Sequence, residues 1–175
     1  MSQMMTTDTN TIATGMLEEF ETELAITRRF LGRLPGDKLA WRPHPKSMSA
    51  GQLGYHIAET PALSLRFALQ DRIATPDLSF REEAASVGEL LTLLDASAAY
   101  LRETLPTLSD RRIRELFQID MPDGTSIELP RARFIRSIML NHWYQHRGQF
   151  GVYLRLLGVS VPSSYGPSGD EAGGI

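Results

Sequence analysis

The chain contains no cysteine. That removes disulfides, thiolate nucleophiles and cysteine-based zinc sites together, so any metal would have to be held by histidine, carboxylate, carbonyl or water. Lack of cysteine also fits a cytoplasmic protein. No run of 18 apolar residues occurs, so no membrane span is expected. A basic excess is missing too: the net charge is −3, which argues against a nucleic-acid partner. The opening "MSQMMTTDTNT" has neither a basic n-region nor an apolar h-region, so it does not read as a signal peptide. Several site signatures are absent as well. There is no Walker loop, no G-x-G-x-x-G, no G-x-S-x-G elbow and no Glu-x-x-His. The H-E-x-x-H pattern fails because position 143 is Trp.

What remains is an ordinary globular composition, 42% hydrophobic and 22% charged over 175 residues. Residues 1–10 are expected to form a flexible lead-in and residues 11–175 a single domain with room for a real core. Four apolar stripes at spacings of three and four mark four helices. The first runs from about Ile12 to Leu34, and the second starts near "SMSAGQ", where Ser49 and Gln52 suit a capping box. Pro61 lies inside it and should bend or shorten it. A mixed linker covers about Asp71 to Ala85. The third helix starts at Ser86, with Glu89 three residues on completing another capping box, and stops at Pro106. "MPDGTSIEL" predicts a small hairpin or irregular segment before the last helix. That helix opens at Pro130 and ends near Gly158, with the stripe Ile135, Met139, His142, His146, Gln149, Tyr153 and Leu156. The fold class predicted is all-α, a four-helix bundle; the long linkers leave room for a crossover.

Only four histidines exist: His44, His56, His142 and His146. The last two stand at i and i+4, which brings their rings together on one helical face. His56 falls on the inward stripe of another helix. Three imidazoles aimed at a bundle interior suit a metal, with water or substrate completing the sphere. Hydrogen-bonded core histidines with no metal are the competing reading. His44, between two prolines, reads as a surface or hinge residue, and Trp41 as an anchor for its linker. Asn141, Gln149, Glu59 and Arg147 are candidates to stand behind the histidines; Asn141 could orient a ring or cap a contact, and is equally a helix–helix hydrogen bonder. Glu59 could neighbour the site or be a solvated helix charge. Arg147 could pair with Asp170 or bind an anionic substrate. Trp143 and Tyr144 could form a dimer face.

Two segments carry a resemblance. "WRPHPKSMSAGQLGYHIAETP" resembles the part of DinB-like proteins where a Trp-x-Pro linker leads into a histidine-bearing helix. "LNHWYQHRGQFGVYLRLLGVSVPSSYGPSGDE" resembles the C-terminal helix and tail of the same family, with Asn-His-x-x-x-His-Arg-Gly-Gln, Tyr-Leu-Arg and Pro-x-x-Tyr-Gly-Pro-Ser-x-Asp-Glu in order. The likeness spans about Leu17 to Glu171. It implies an up-down-down-up bundle, a homodimer, and a divalent metal, nickel or zinc, on His56, His142 and His146. It also implies a small-molecule substrate and thiol-dependent S-transfer using a low-molecular-weight thiol. A metal-dependent hydrolase and a non-catalytic, stress-associated metal- or ligand-binding bundle are the alternatives.

Overall fold

The structure is a computed structural model that describes residues 9–76 and 82–172. Three long helices, α1 (Thr11–Gly32), α2 (Ala50–Ala68) and α3 (Val87–Thr104), pack with a fourth helical rod over residues 131–156. The rod has three parts: α5 (Arg131–Phe134), a π-helical stretch (Ile135–His142) and α6 (Trp143–Leu156). A short helix, α4 (Asp110–Arg114), precedes the rod, as do strands β1 (Arg72–Ala74), β2 (Leu116–Asp120) and β3 (Ser126–Pro130).

Hydrogen bonds at the two ends of the bundle set the helix directions. At one end, the Ile12 N–H donates to the Asp110 carboxylate at 2.9 Å, and Arg131 donates to the Gln70 carbonyl at 3.0 Å. The start of α1, the end of α2, the stretch after α3 and the start of the rod therefore share that end. At the other, Ser49 donates to the Glu83 carboxylate at 2.6 Å, and the Tyr153 hydroxyl to the Met48 carbonyl at 3.2 Å. The start of α2, the approach to α3 and the end of the rod meet there. The path is up-down-down-up. Since α2 and α3 are parallel, their connection must return along a helix about 28 Å long, which explains the long linker.

Local chemistry matches these elements. Ser49 accepts from the Gln52 N–H at 3.1 Å, and Gln52 Oε1 accepts from the Ser49 N–H at 3.0 Å, a complete capping box. Ser86 likewise caps α3, but the Glu89 carboxylate reaches the Ala85 N–H instead. Asn10 supplies no side-chain cap to α1; Asp110 supplies it from α4. Gly158, at φ +72°, ends the rod. Its N–H meets the Arg155 carbonyl and the Val159 N–H meets that of Leu154, a left-handed stop that glycine adopts without strain.

Several expectations need correction. Pro61 does not shorten α2, which runs unbroken past it. The linker after α2 contains β1, which pairs in parallel with β2, and β2 forms the antiparallel hairpin with β3. The last helix is not uniform. Its buried positions include Ile135, Met139 and Tyr153 of the expected stripe but also Leu140, Trp143, Arg147, Phe150 and Leu154, whereas Leu156 is 61% exposed. Trp143 is fully buried and stacks on Phe20 at 5.0 Å, so it offers no dimer face. Of the expected lead-in, residues 1–8 lie outside the described residues; the Thr9 hydroxyl donates to Asp110 at 2.8 Å. Among the described residues, no helix is long and apolar enough to cross a membrane.

Candidate metal centre and adjoining cavity

α2 contributes His56, the end of the π-helical stretch His142, and the first turn of α6 His146. Their ring centroids lie 4.3–5.1 Å apart, and one nitrogen from each falls within 4.8 Å of the others. His142 Nε2 and His146 Nε2 are 2.8 Å apart. All three rings are half-buried. The i, i+4 pair and the third histidine, placed together by stripe analysis, do meet. His44 stands apart on the surface, its Nδ1 accepting from the Lys46 N–H at 3.1 Å.

The proline in α2 has a local consequence at this centre. Without an N–H, Pro61 leaves the Ile57 carbonyl without its helical donor. The Trp143 indole N–H takes that carbonyl at 2.9 Å. The bond ties α2 to the rod one residue beyond His56 and one beyond His142. On the other side, Gln149 Oε1 lies 2.9 Å from His146 Nδ1. The amide oxygen draws the ring proton to Nδ1 and leaves the Nε2 lone pair facing His142. The Thr60 hydroxyl donates to the His56 carbonyl at 2.5 Å and sits 3.4 Å from His56 Nδ1.

The donor set fits a divalent transition ion. Neutral imidazole suits zinc and nickel, and two nitrogens bound to one ion at about 2.0–2.1 Å would stand roughly 3 Å apart, near the observed 2.8 Å. Gln149 provides the kind of outer partner that metal-binding histidines use.

Other candidates have different duties. Arg147 does not pair with Asp170. It is 2% exposed, pairs with Glu23 at 2.5 Å, and lies between the rings of Tyr144 and Tyr165. It joins α6 to α1 through Glu23 and the Thr27 hydroxyl. Asp170 pairs with Arg155 at 2.5 Å. Burial, then the neighbouring Glu19, pushes the Tyr144 hydroxyl up, and that hydroxyl donates to Glu19 at 2.9 Å. Asn141 is exposed. Glu59 lines a separate cleft with Arg66 and Leu93, between α2 and α3. Burial raises its carboxyl, with Glu82 adding to the effect. Trp41 packs edge-on against Tyr153 at 5.6 Å, so it does anchor its linker.

The sequence did not reveal a cavity of about 350 Å³ beside the cluster, with His56 and His142 in its wall. Thr60, Leu63, Ser64 and Phe67 of α2 form one side. The opposite side is built by Ile73 of β1, Ile119 of β2, Ile127 of β3, and Phe134 and Ile138 of the rod. The small sheet thus serves as a cover. The only sequence signal for it was the alternation in the hairpin, which does not say what the hairpin covers.

The chain matches the DinB family over residues 1–173. It belongs to the DinB family. An uncharacterised Bacillus subtilis protein, YrdA, is 22% identical over 159 residues, 89% of each chain. A DinB-like crystal structure from Bacillus cereus superposes with a TM-score of 0.67 at 22% identity, covering 87% of this chain and 97% of the other. YfiT from Bacillus subtilis, described as a probable metal-dependent hydrolase with an unusual four-helix bundle topology, gives 0.62 at 17% identity, covering 85% and 89%. These likenesses agree with the bundle, and this member of the family carries a three-histidine cluster able to hold a metal.

Proposed function

We propose that this DinB-family chain is a metal-dependent enzyme that transfers the sulfur of a low-molecular-weight thiol to a small electrophile. The observation that carries the reading is the wall shared by His56, His142 and the cavity: the histidine cluster opens onto a space for a small molecule. His56, His142 and His146 would hold a divalent ion, nickel or zinc. Such an ion supplies Lewis acidity, which lets a thiol lose its proton near neutral pH.

The protein's own side chains do the rest by placement. Gln149 keeps the His146 proton on Nδ1, and the Ile57–Trp143 bond keeps two of the histidine-bearing turns in register. The apolar walls hold the electrophile and keep bulk water from it. Since the chain has no cysteine, the thiol arrives as a co-substrate. Its sulfur forms the new carbon–sulfur bond, its proton goes to solvent, and the displaced group leaves with the bonding pair.

A hydrolase is the second reading, favoured by the shared fold with YfiT. One assay separates the two. Metal-loaded chain is mixed with an aromatic halide and a panel of thiols, and in parallel with an activated ester and no thiol. S-transfer predicts product with a particular thiol, lost in His142→Ala. Ester loss without thiol would move the assignment to hydrolysis. Metal bound tightly with neither activity would favour the non-catalytic bundle.

A further inference from the structure

Among the described residues, no Asp, Glu, Lys or Arg lines the cavity beside the histidines. Away from the histidine end, a carboxylate, phosphate or ammonium group placed there would lose water and meet no side-chain counter-charge. Two of the lining hydroxyls already donate: Thr60 to the His56 carbonyl, and Thr75 to the Asp120 carbonyl at 2.8 Å. Ser64 differs. It is 3% exposed, it lines the cavity, and its hydroxyl has no hydrogen-bond partner among the described residues. A hydroxyl open to the cavity in that position can bond a polar atom of a ligand. Ser64 stands eight residues beyond His56 on α2, a rise of about 12 Å, so the two polar features are well separated along the helix.

We infer that the cavity binds a neutral, elongated, largely hydrocarbon molecule that hydrogen-bonds Ser64 and presents its reacting group to His56 and His142. Which end reacts rests on the metal-enzyme reading; the binding itself does not. The volume of about 350 Å³ lies at the small end of small-molecule sites. It suits an alkyl or aryl compound better than a nucleotide or a sugar phosphate.

The test uses the full chain, with and without added zinc, and the neutral fluorescent probe N-phenylnaphthylamine. Its sulfonated analogue, anilinonaphthalene sulfonate, has the same rings and one negative charge. In the metal-free chain the neutral probe should bind saturably at one site per chain, and the sulfonate at least tenfold more weakly. Ile138 is 36% exposed, so Ile138→Arg can place its charge at the cavity rim without burying it. That variant should weaken the neutral probe at least tenfold while circular dichroism and zinc content stay unchanged. Decanol should displace the probe, about fivefold less well from Ser64→Ala, the loss typical of one hydrogen bond. Absence of saturable binding, equal affinity for the sulfonate, or indifference to Ile138→Arg would overturn the proposal. Equal displacement from Ser64→Ala would overturn the anchoring by Ser64. Failure to bind zinc would count against the metal-enzyme reading alone, because probe binding is read separately.

Discussion

Gln149 is the side chain that most directly shapes the donor set without belonging to it. Its amide oxygen on His146 Nδ1 selects the tautomer whose Nε2 can face a metal. Gln149→Leu keeps the bulk and removes the acceptor, so zinc affinity should fall about 10–100-fold. A competitive chelator titration measures that, with helicity unchanged. At this scale much was legible. The i, i+4 spacing brought His142 and His146 together, and Gln149, three residues beyond His146, shares their side of a helix. Ser64 was not legible. A serine on a helix says nothing by itself, and its role depends on a sheet folded over it, whose hairpin contributes Ile119 and Ile127 from far downstream.

At the scale of elements, the decisive contact joins a defect in one helix to a donor in another. Pro61 leaves the Ile57 carbonyl open, and Trp143 fills it. Trp143→Phe keeps the stacking on Phe20 but abandons that buried carbonyl, which should cost about 1–3 kcal/mol. Pro61→Ala restores a helical donor to the same carbonyl, so Trp143→Phe should cost less in that background. Urea denaturation of the four proteins in the double-mutant cycle reads the coupling; strict additivity would contradict the link. The rod shows why periodicity misjudged part of the last helix. In the stretch Ile135–His142, hydrogen bonds reach to i+5 and the turn widens. Inward positions then advance by four through Ile135, Met139, Trp143 and Arg147. A 3.6-residue stripe drifts off that line, which put Leu156 inside and Trp143 outside. The same shift leaves His142 and His146 at the edge of the buried face, with His142 turned to the cavity.

At the scale of the whole molecule, buried and half-buried carboxylates bind elements that are distant in sequence. Hydrogen bonds from Arg72 first, then Ser126 and Gln118, lower the Asp120 carboxyl to about 2 from 3.8. The Ile12 N–H and the Thr9 hydroxyl lower Asp110, and the Ser163 N–H and Arg29 lower Glu171. A carboxylate held below its unfolded value stabilises the fold while ionised, fully so above that unfolded value. Stability should therefore be level through neutral pH, decline below about pH 4, and lose the Asp120 contribution as pH approaches about 2. Thermal melts across that range, compared with Asp120→Asn, check the sign: the variant should show the shallower decline. The fold class was legible from four stripes; the two long linkers only left room for a crossover, and the up-down-down-up path came from the family resemblance. The roles of Arg131 and Asp110, which lock the end of the bundle where four segments meet, were not legible. Their partners lie on elements far away in sequence. His56, His142 and His146 are proposed to form one metal centre. This is tested most directly by equilibrium dialysis of the untagged chain against zinc and against nickel, followed by elemental analysis. One tightly bound ion per chain is expected, with loss of that ion in each of His56→Ala, His142→Ala and His146→Ala and the helical signal retained. A wild-type chain that takes up neither ion, or a variant lacking one histidine that binds as tightly as wild type, would contradict it.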